Sequence, residues 1–328
     1  MKKKYTLLNS SIEVEGTEEL IKYIDSDIIE FPLYTKKPRE YIVSYEYNPS
    51  LYDDILVDLK RQIGHRVRIF GDEYKMKYTN AGIVFLVDDD SIIVHMENKF
   101  TIYGKTDFSK NHVLYLIREA VYEGYLLDKD LILHSAAFST NHEQGNILVG
   151  APGAGKTTLL MECLLGLPSA YISNDLVGVH NNRALASIIP VRVAHGTLSR
   201  FNHQEYSDLK EKETYMLNDF LKAYSLETDS DVRIKNIIFP HFDKKNNFYI
   251  TKIDKKEAKD ILISQTLNYG DDVRPYLWVN ELVLNQTKSK TVDAKLNSLI
   301  GSSESFYLEY GPNIRDDEKK VMRKVMKI

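Results

Sequence analysis

Apolar and polar positions alternate with changing spacing along the first part of the chain, and this pattern predicts both strands and helices. Residues 41–47 are rich in β-branched and aromatic side chains, which favour a strand. Two apolar runs, residues 83–86 and 92–95, flank the acidic stretch 88–91 in the manner of a hairpin. From residue 111 to 126, apolar side chains recur every three or four positions, so we expect a helix with one apolar face.

A different pattern begins after this helix. Residues 131–138 and 146–150 are short apolar runs separated by a polar stretch, which predicts two strands of a buried sheet. Residues 157–165 then favour a helix that a glycine and a proline end, and residues 170–172 resume the strand character. Strand, loop, helix and strand therefore follow one another as in a βαβ unit.

The second half of the chain carries weaker patterns. Residues 188–193 and 234–240 predict further strands, and the segment 205–226 between them, which contains Tyr and Leu, predicts a helix. Helices and one strand are predicted for the last part of the chain, at residues 257–267, 276–284, 305–309 and 315–327. No repeat or low-complexity linker separates these segments.

Composition indicates an ordinary soluble globular protein. The 328 residues include 43 Lys and Arg against 47 Asp and Glu, which gives a formal charge of −4 and argues against nonspecific binding to nucleic acid. No apolar run approaches the roughly 18 residues of a membrane span, and residues 1–8 are too short a stretch for a signal-peptide core. The single cysteine, Cys163, cannot form an internal disulfide, and we expect it to be buried in a helix. We therefore expect a cytoplasmic protein that binds neither nucleic acid nor membrane.

Residues 150–157, Gly-Ala-Pro-Gly-Ala-Gly-Lys-Thr, match the phosphate-binding P-loop pattern G-x-x-x-x-G-K-[ST] at every fixed position. Gly153 and Gly155 can adopt backbone angles that turn successive amides inward, where these amides and the start of the next helix bind phosphate oxygens. Lys156 adds positive charge, and Thr157 can offer its hydroxyl to Mg²⁺. A chance match is the alternative, but the loop follows a predicted strand and opens a predicted helix, as the motif requires. The sequence therefore predicts that a nucleoside triphosphate binds to Gly150, Ala151, Pro152, Gly153, Ala154, Gly155, Lys156, Thr157 and Thr158.

Asp175 lies 18 positions after Thr157, which is enough chain for one helix and a short strand. A right-handed crossover places that strand in the same sheet as the P-loop strand. We therefore expect Asp175 to emerge near the terminal phosphate, where a carboxylate can hold Mg²⁺ or accept the proton of an attacking hydroxyl. A plain turn at a strand end is the alternative explanation of this residue.

Four segments together resemble the HPr kinase-like family, whose nucleotide-binding fold is of the phosphoenolpyruvate-carboxykinase P-loop type. They are His-Ser-Ala-Ala from His134, the P-loop, Tyr-Ile-Ser-Asn-Asp-Leu-Val at residues 171–177, and Pro-Val-Arg-Val-Ala-His-Gly-Thr-Leu at residues 190–198. The resemblance extends over about residues 82–240 in motif order. Members of the family use ATP to phosphorylate a hydroxyl group, usually that of a serine, on a protein, a peptide or a small molecule.

The resemblance implies an α/β fold with a P-loop core of the HPr kinase / phosphoenolpyruvate carboxykinase type at residues 127–253. The residue patterns predict a strand-rich N-terminal region before this core at residues 1–126 and a helical C-terminal cap after it at residues 254–328. The resemblance further implies that the P-loop binds ATP together with Mg²⁺. The predicted ligands of the metal are Thr157 and Asp175.

Residues outside the P-loop are also predicted to take part in nucleotide binding or phosphoryl transfer. The resemblance implies that His134 lies near the phosphates and that Asp175 is the acid that remains after the second strand. Arg192 could neutralise charge on the transferred phosphoryl group, because its guanidinium is a planar fork of donors. The alternatives are a hydrogen-bonded core histidine at position 134 and an ordinary strand arginine at position 192. His195 and Thr197 either line the same cleft or belong to a simple turn.

Two departures from the family bear on the activity. The family commonly has two consecutive acids where this chain has Asn174 and Asp175, and an asparagine cannot accept a proton. The chain also lacks the Glu-x-Arg-Gly-x-Gly stretch of the bifunctional HPr kinase/phosphorylases, so HPr itself is a poor candidate for the substrate. We predict an ATP-dependent kinase that transfers the γ-phosphoryl group to a hydroxyl of a peptide, protein or small-molecule acceptor, with a homo-oligomer left open. The alternatives are an ATP-binding regulatory or assembly module with weak or no phosphotransfer, and a plain NTPase.

Overall fold

Two compact units make up the described part of the protein. A computed structural model describes residues 1–34, 37–60, 65–69, 72–79, 82–87, 91–106, 111–128, 130–186, 190–202, 208, 211–243, 245, 247–267, 290–312 and 314–326. Within these ranges the fold is mixed α/β, with three β-sheets and nine helices. The first unit contains the described residues up to Asp128, and the second contains those from Asp130 onward. None of the helices in these ranges is long and apolar enough to cross a membrane.

The first unit is built on an eight-stranded sheet with the strand order β1-β2-β3-β8-β7-β6-β5-β4. Its strands are β1 (Lys2–Leu7), β2 (Ser10–Glu15), β3 (Arg39–Tyr47), β4 (His65–Ile69), β5 (Asp72–Thr79), β6 (Gly82–Val87), β7 (Ser91–Met96) and β8 (Lys99–Gly104). Its helices are α1 (Glu18–Asp27), α2 (Pro49–Lys60) and α3 (Asn111–Leu127). The predicted hairpin is confirmed by the antiparallel pair of β6 and β7, and its acidic turn at residues 88–90 lies outside the described residues.

Helix α3 confirms the prediction made from apolar spacing. The residues that recur at three- and four-residue spacing are all buried, namely Val113, Leu116, Ile117, Ala120 and Val121. The helix also buries charged groups. The Arg118 guanidinium lies 2.8 Å from the Asp27 carboxylate, and Glu123 one turn further along is only 6% exposed. The core of the first unit therefore contains the Arg118–Asp27 ion pair and two additional carboxyl groups, those of Glu119 and Glu123.

The second unit is built on a nine-stranded sheet whose main path has the order β12-β10-β11-β17-β14-β13-β9, with β19 paired to β17 and β18 paired to β19. Its strands are β9 (Leu131–Leu133), β10 (Ser135–Thr140), β11 (Gln144–Val149), β12 (Ser169–Ser173), β13 (Val177–His180), β14 (Arg183–Leu185), β17 (Val232–Phe242), β18 (Tyr249–Lys252) and β19 (Glu304–Tyr310). A separate pair is formed by β15 (Val191–Ala194) and β16 (Lys212–Tyr215). The helices are α4 (Lys156–Gly166), α5 (His195–Asn202), α6 (Leu217–Ala223), α7 (Lys255–Gln265), α8 (Lys290–Ser302) and α9 (Asp316–Met326).

Three parallel strands determine where the P-loop lies. Strand β17 pairs in parallel with both β11 and β19, so the carboxyl ends of all three strands lie at the same edge of the sheet. At that edge β11 ends at Val149 and continues into the P-loop, while β17 ends at Phe242 and β19 at Tyr310. Residues 237–239 of β17 are consecutively buried, as expected for a strand in the interior of a sheet.

Helix α4 and strand β12 complete the unit predicted from the sequence. Helix α4 confirms the helix predicted at residues 157–165, and its Cys163 is buried as expected. Strand β12 lies in the same sheet as β11, as predicted, with β10 between them and antiparallel to both. The turn after β12 carries Asn174 and Asp175.

Two strand and helix predictions in this unit are wrong in part. The run 131–138 is divided at His134, because β9 pairs with β13 whereas β10 pairs with β11 and β12. Within the segment 205–226, predicted as one helix, Lys212–Tyr215 forms strand β16 because its backbone pairs with β15. The helical part is α6, where Leu217, Phe220 and Leu221 are buried at helical spacing.

The C-terminal residues share the second unit with the P-loop. Among the four C-terminal segments predicted as helices and one strand, residues 305–309 form the strand β19, which pairs with both β17 and β18 inside the sheet. Helices α7 and α8 contribute apolar residues to the core of this sheet, namely Ala258, Leu262, Val292, Leu296, Leu299 and Ile300. The segments predicted at residues 188–189 and 276–284 lie outside the described residues.

Candidate functional site

The P-loop occupies the turn between β11 and α4, and two of its glycines have left-handed backbone angles. Gly153 has a φ of 84° and Gly155 a φ of 93°, a region that other residues rarely adopt. A Cβ added to Gly155 would lie 2.5 Å from the Tyr310 hydroxyl oxygen and 2.9 Å from the Phe242 Cβ. Both the backbone angle and the available space therefore require glycine at position 155. Since Gly155 is the N-cap of α4 and has no side chain, the amides of the first helical turn face whatever enters the loop.

Lys156 is a buried cation at the start of α4. It is 8% exposed, and its Nζ donates hydrogen bonds to the carbonyl oxygens of Gly150 at 2.7 Å and Ala151 at 3.3 Å. Burial lowers the pKa of Lys156 to about 8, while the negative charge of Asp175 acts in the opposite direction and the positive charge of Lys212 lowers it further. Among the described residues, no carboxylate lies within 4.0 Å of this ammonium group, whose contacts are the two carbonyls. Its hydrogen-bond partners are neutral, so its charge is available to an anion.

Thr157 and Thr158 extend the site from α4 toward β15 and α5. The Thr157 hydroxyl donates to Asn174 Oδ1 at 3.1 Å, and Asn174 Nδ2 donates to the backbone carbonyl of Arg192 at 3.3 Å. The two hydroxyl oxygens of Thr158 and Thr197 lie 2.7 Å apart. The first turn of α4 is therefore hydrogen-bonded to the segment that follows β12 and to the start of α5.

Asp175 is held next to the P-loop by the turn after β12. Its φ is 73°, an uncommon value for a residue with a side chain, and its carbonyl accepts a hydrogen bond from the Ser135 amide at 3.1 Å. The residue is half-buried, and its charge is close enough to Lys156 to influence the pKa of that ammonium. The structure therefore brings Asp175 and Lys156 into one site.

His134 lies between β9 and β10, and Arg192 lies on β15. His134 is half-buried at the junction of β9 and β10, and its amide donates to the Gln265 carbonyl at 2.8 Å. Its neighbour Ser135 is the residue that contacts Asp175. The Arg192 side chain is exposed, between the buried Val191 and Val193, so the contact that the structure gives this residue at the site is made by its carbonyl. His195 begins α5, and its Nδ1 lies 3.0 Å from the Asp208 carbonyl oxygen.

Three residues of the site carry no motif that sequence reasoning could have used. The Tyr310 hydroxyl donates to the Gly155 carbonyl at 2.6 Å, and the Phe242 amide donates to the Ala154 carbonyl at 3.1 Å. The two aromatic rings pack edge to face, with centroids 5.4 Å apart. Lys212 is an exposed lysine on β16, in the segment that was predicted as a helix. Strand pairing, and not local sequence, brings these residues to the P-loop.

The donor atoms present fit a cation that arrives with phosphate oxygens. Within the described ranges, no group of three or more His, Cys, Asp or Glu residues could hold a metal ion. The Thr157 hydroxyl and the Asp175 carboxylate supply oxygen, the ligand atom that Mg²⁺ prefers, and Mg²⁺ is usually bound by one or two protein groups together with substrate phosphates. The residues therefore fit a nucleotide-borne Mg²⁺ better than a metal held by protein alone.

No protein-family model matches the chain, and no curated protein sequence matches it. What the site can bind therefore has to be inferred from its own residues.

Proposed function

We propose that this protein binds ATP with Mg²⁺ at residues 150–158 and transfers the γ-phosphoryl group to a hydroxyl of a peptide, protein or small molecule, as an HPr kinase-like phosphotransferase. The observation that carries the proposal is the Lys156 ammonium, which is buried at the start of α4 and which, within the described ranges, is hydrogen-bonded only to neutral P-loop carbonyls. A buried charge without an opposite charge is costly, and a polyphosphate entering the loop would supply that charge. The glycine backbone angles at positions 153 and 155 fit the same ligand.

Each residue in and around the P-loop would have its own role in the reaction. The P-loop amides and Lys156 would bind the phosphates, and Thr157 would contribute oxygen to the metal. Asp175 would accept the proton of the acceptor hydroxyl or hold the metal. Such a transfer depends mainly on positioning and on stabilising charge, so few reactive groups are needed.

One observation favours a second function, an ATP-binding regulatory or assembly module. Asn174 stands where kinases of the HPr type commonly have an acid, and its amide is engaged on both sides by Thr157 and Arg192. It cannot serve as a base, so Asp175 is the single acid at this turn. If Asp175 holds the metal and accepts no proton, the protein would bind nucleotide with little or no transfer.

Two measurements test these functions together. The first is calorimetric titration with the non-hydrolysable ATP analogue AMP-PNP in the presence of Mg²⁺. The second is incubation with γ-³²P-labelled ATP on an array of serine-containing peptides, beside an array with alanine in place of serine. Asp175→Asn should lower the transfer rate by about 10²- to 10⁴-fold. If Asp175 acts as the base, the analogue affinity should stay nearly unchanged because the P-loop is intact, whereas if it holds the metal, the affinity in Mg²⁺ should fall.

A matched control is Asp219→Asn, which changes an exposed acid on α6 and should change neither quantity. Label on serine peptides that is lost with Asp175→Asn supports the kinase. Release of labelled phosphate without transfer indicates an NTPase, and binding with neither indicates the module. Absence of any binding heat would contradict all three.

A further inference from the structure

Asn174 is an almost completely buried amide whose hydrogen bonds connect the first turn of α4 to the backbone of β15. It is 1% exposed, with its Oδ1 3.1 Å from Thr157 Oγ1 and its Nδ2 3.3 Å from the Arg192 carbonyl oxygen. We propose that Asn174 is a positioning residue that orients the Thr157 hydroxyl toward the metal of a bound Mg·ATP. This inference rests on the proposed function, since it assigns a task within the same nucleotide site.

The two contacts determine which way the amide faces. The Arg192 carbonyl can only accept a hydrogen bond, so the amide nitrogen of Asn174 must face it. The amide oxygen then faces Thr157 and can only accept. The Thr157 hydroxyl must therefore be the donor in this pair.

The direction of this hydrogen bond determines what Thr157 can offer to a cation. A hydroxyl carries one proton and two lone pairs. When the proton is committed to Asn174, rotation about the C–O bond is restricted and the lone pairs of the oxygen are left for other partners. A metal ligand is required to present lone pairs and to turn its proton away, and Asn174 imposes that arrangement on Thr157 before any ligand binds.

The same geometry explains why an acid would not serve equally well at this position. An aspartate at position 174 would place a carboxylate oxygen against the Arg192 carbonyl, where two acceptors would face each other with no proton between them. The connection between α4 and β15 would be lost or would need a protonated acid. The absence of a second acid beside Asp175 is therefore consistent with a chain that uses position 174 for orientation.

The test compares the affinity for AMP-PNP in Mg²⁺ with that in EDTA, measured by calorimetry on the full chain. The principal variant is Asn174→Leu, which keeps the number and branching of the side-chain heavy atoms and removes both hydrogen bonds, and Asn174→Ala, which adds no bulk, is the second variant. We expect each to reduce the gain in affinity that Mg²⁺ provides by about 10- to 100-fold, the usual loss when the partner of a metal ligand is removed. The affinity in EDTA should change by less than about threefold, since the P-loop amides and Lys156 are untouched.

A double-mutant cycle shows whether Asn174 affects Mg²⁺-dependent binding through Thr157. Thr157→Val should remove the same Mg²⁺-dependent gain, and Asn174→Leu combined with Thr157→Val should be no worse than Thr157→Val alone, because Asn174 acts through Thr157. Asn146→Ala is the structural control. The Asn146 side chain is buried, and its Oδ1 accepts a hydrogen bond from Asn236 Nδ2 at 2.7 Å. Its removal should lower the melting temperature without changing the gain in affinity that Mg²⁺ provides.

Each outcome decides between the explanations. A Mg²⁺-dependent gain that survives in both Asn174 variants overturns the inference while leaving the proposed function standing. Additive losses in the cycle also overturn it, because they would mean that Asn174 does not act through Thr157. Asn174→Asp is expected not to raise transfer to serine peptides, and a rise would show that position 174 is that of a base. Absence of AMP-PNP binding to the unmodified protein would overturn both proposals.

Discussion

Arg118 in the first unit and Lys156 in the second are both buried cations, but they hydrogen-bond to different kinds of atom. Arg118 donates to the Asp27 carboxylate at 2.8 Å, and the two side chains are 6% and 1% exposed. Lys156 donates to two backbone carbonyls of its own loop. A buried ion pair is electrically complete and needs no ligand, whereas a cation held by neutral acceptors retains its attraction for an anion. The chemistry of the hydrogen-bond partner, and not burial alone, determines whether a buried cation is already neutralised or can still attract an anion.

Replacing each cation by methionine tests most directly whether the two cations differ in their effects on stability and on binding. Arg118→Met leaves the Asp27 charge buried without the Arg118 guanidinium, so the free energy of unfolding should fall by about 3–5 kcal/mol. Lys156→Met removes a charge that burial already penalises, so stability should change little. The affinity for AMP-PNP should instead fall by about 10- to 100-fold, which corresponds to the loss of a charged hydrogen bond of about 1.5–3 kcal/mol. Urea denaturation and calorimetry measure both quantities, and a Lys156→Met variant as destabilised as Arg118→Met would remove the distinction.

Glu123 provides a second buried charge with a neutral hydrogen-bond partner. It is a carboxyl group of the first unit, and its hydrogen-bond donor is the Tyr41 hydroxyl. Tyr41 donates to it at 3.5 Å, and His95 Nε2 lies 3.8 Å away. Burial raises the pKa of Glu123 to about 7, against the opposing effects of the Tyr41 hydrogen bond and the Arg39 charge. The folded pKa lies above the unfolded value of 4.5, so the stabilising contribution is fully present below pH 4.5 and is lost as the pH rises through 7.

Glu123→Gln should remove this part of the pH dependence. The neutral amide has no charge to bury, so the free energy of unfolding at pH 8 should rise by about 2–3 kcal/mol relative to the unmodified protein. At pH 4 the two proteins should be nearly equal. Urea denaturation at both pH values measures the difference, and pH profiles that run parallel would contradict the assignment of this titration to Glu123.

Lys212 should give the smallest effect, because it is an exposed cation near the buried Lys156. Its charge lowers the pKa of Lys156, so it is close enough to attract the same anion. Lys212→Ala should weaken AMP-PNP binding by about two- to fivefold at low salt and by less at 0.5 M salt, as for other exposed charges. Lys235→Ala is the control, since that exposed lysine lies on β17 about 23 Å before the edge at Phe242. Equal effects of the two variants would exclude a local role for Lys212.

Local patterns predicted the parts of this fold that depend on local interactions. The helix at α3 follows from apolar spacing, and the hairpin of β6 and β7 follows from two apolar runs around an acidic turn. The P-loop was predictable as a strand, a glycine turn and a helix, because its conformation depends on the residues of the loop itself. The placement of Asp175 followed from the length of chain needed for a helix and a strand.

Features that depend on distant pairing could not be predicted in this way. The division of the run 131–138 at His134 arises from different strand partners on either side, which no local pattern reveals. Strand β16 exists because β15 offers it a backbone to pair with, although its own four residues are mostly exposed. The engagement of Asn174 by Thr157 and Arg192 likewise requires three segments to meet.

The hydrogen bond from Tyr310 to the Gly155 carbonyl joins residues 155 positions apart, and this affects how the protein is made. When the P-loop has just left the ribosome, Tyr310 has not yet been synthesised. The hydrogen bond to Gly155 and strand β19, which carries Tyr310, are therefore still missing. At about 5–20 residues per second, the interval between Gly155 and Tyr310 is about 8–30 seconds. During that time the growing polypeptide contains the loop motif without the tyrosine and the strand that complete its surroundings, so the loop reaches its final hydrogen bonding only after Tyr310 has been synthesised.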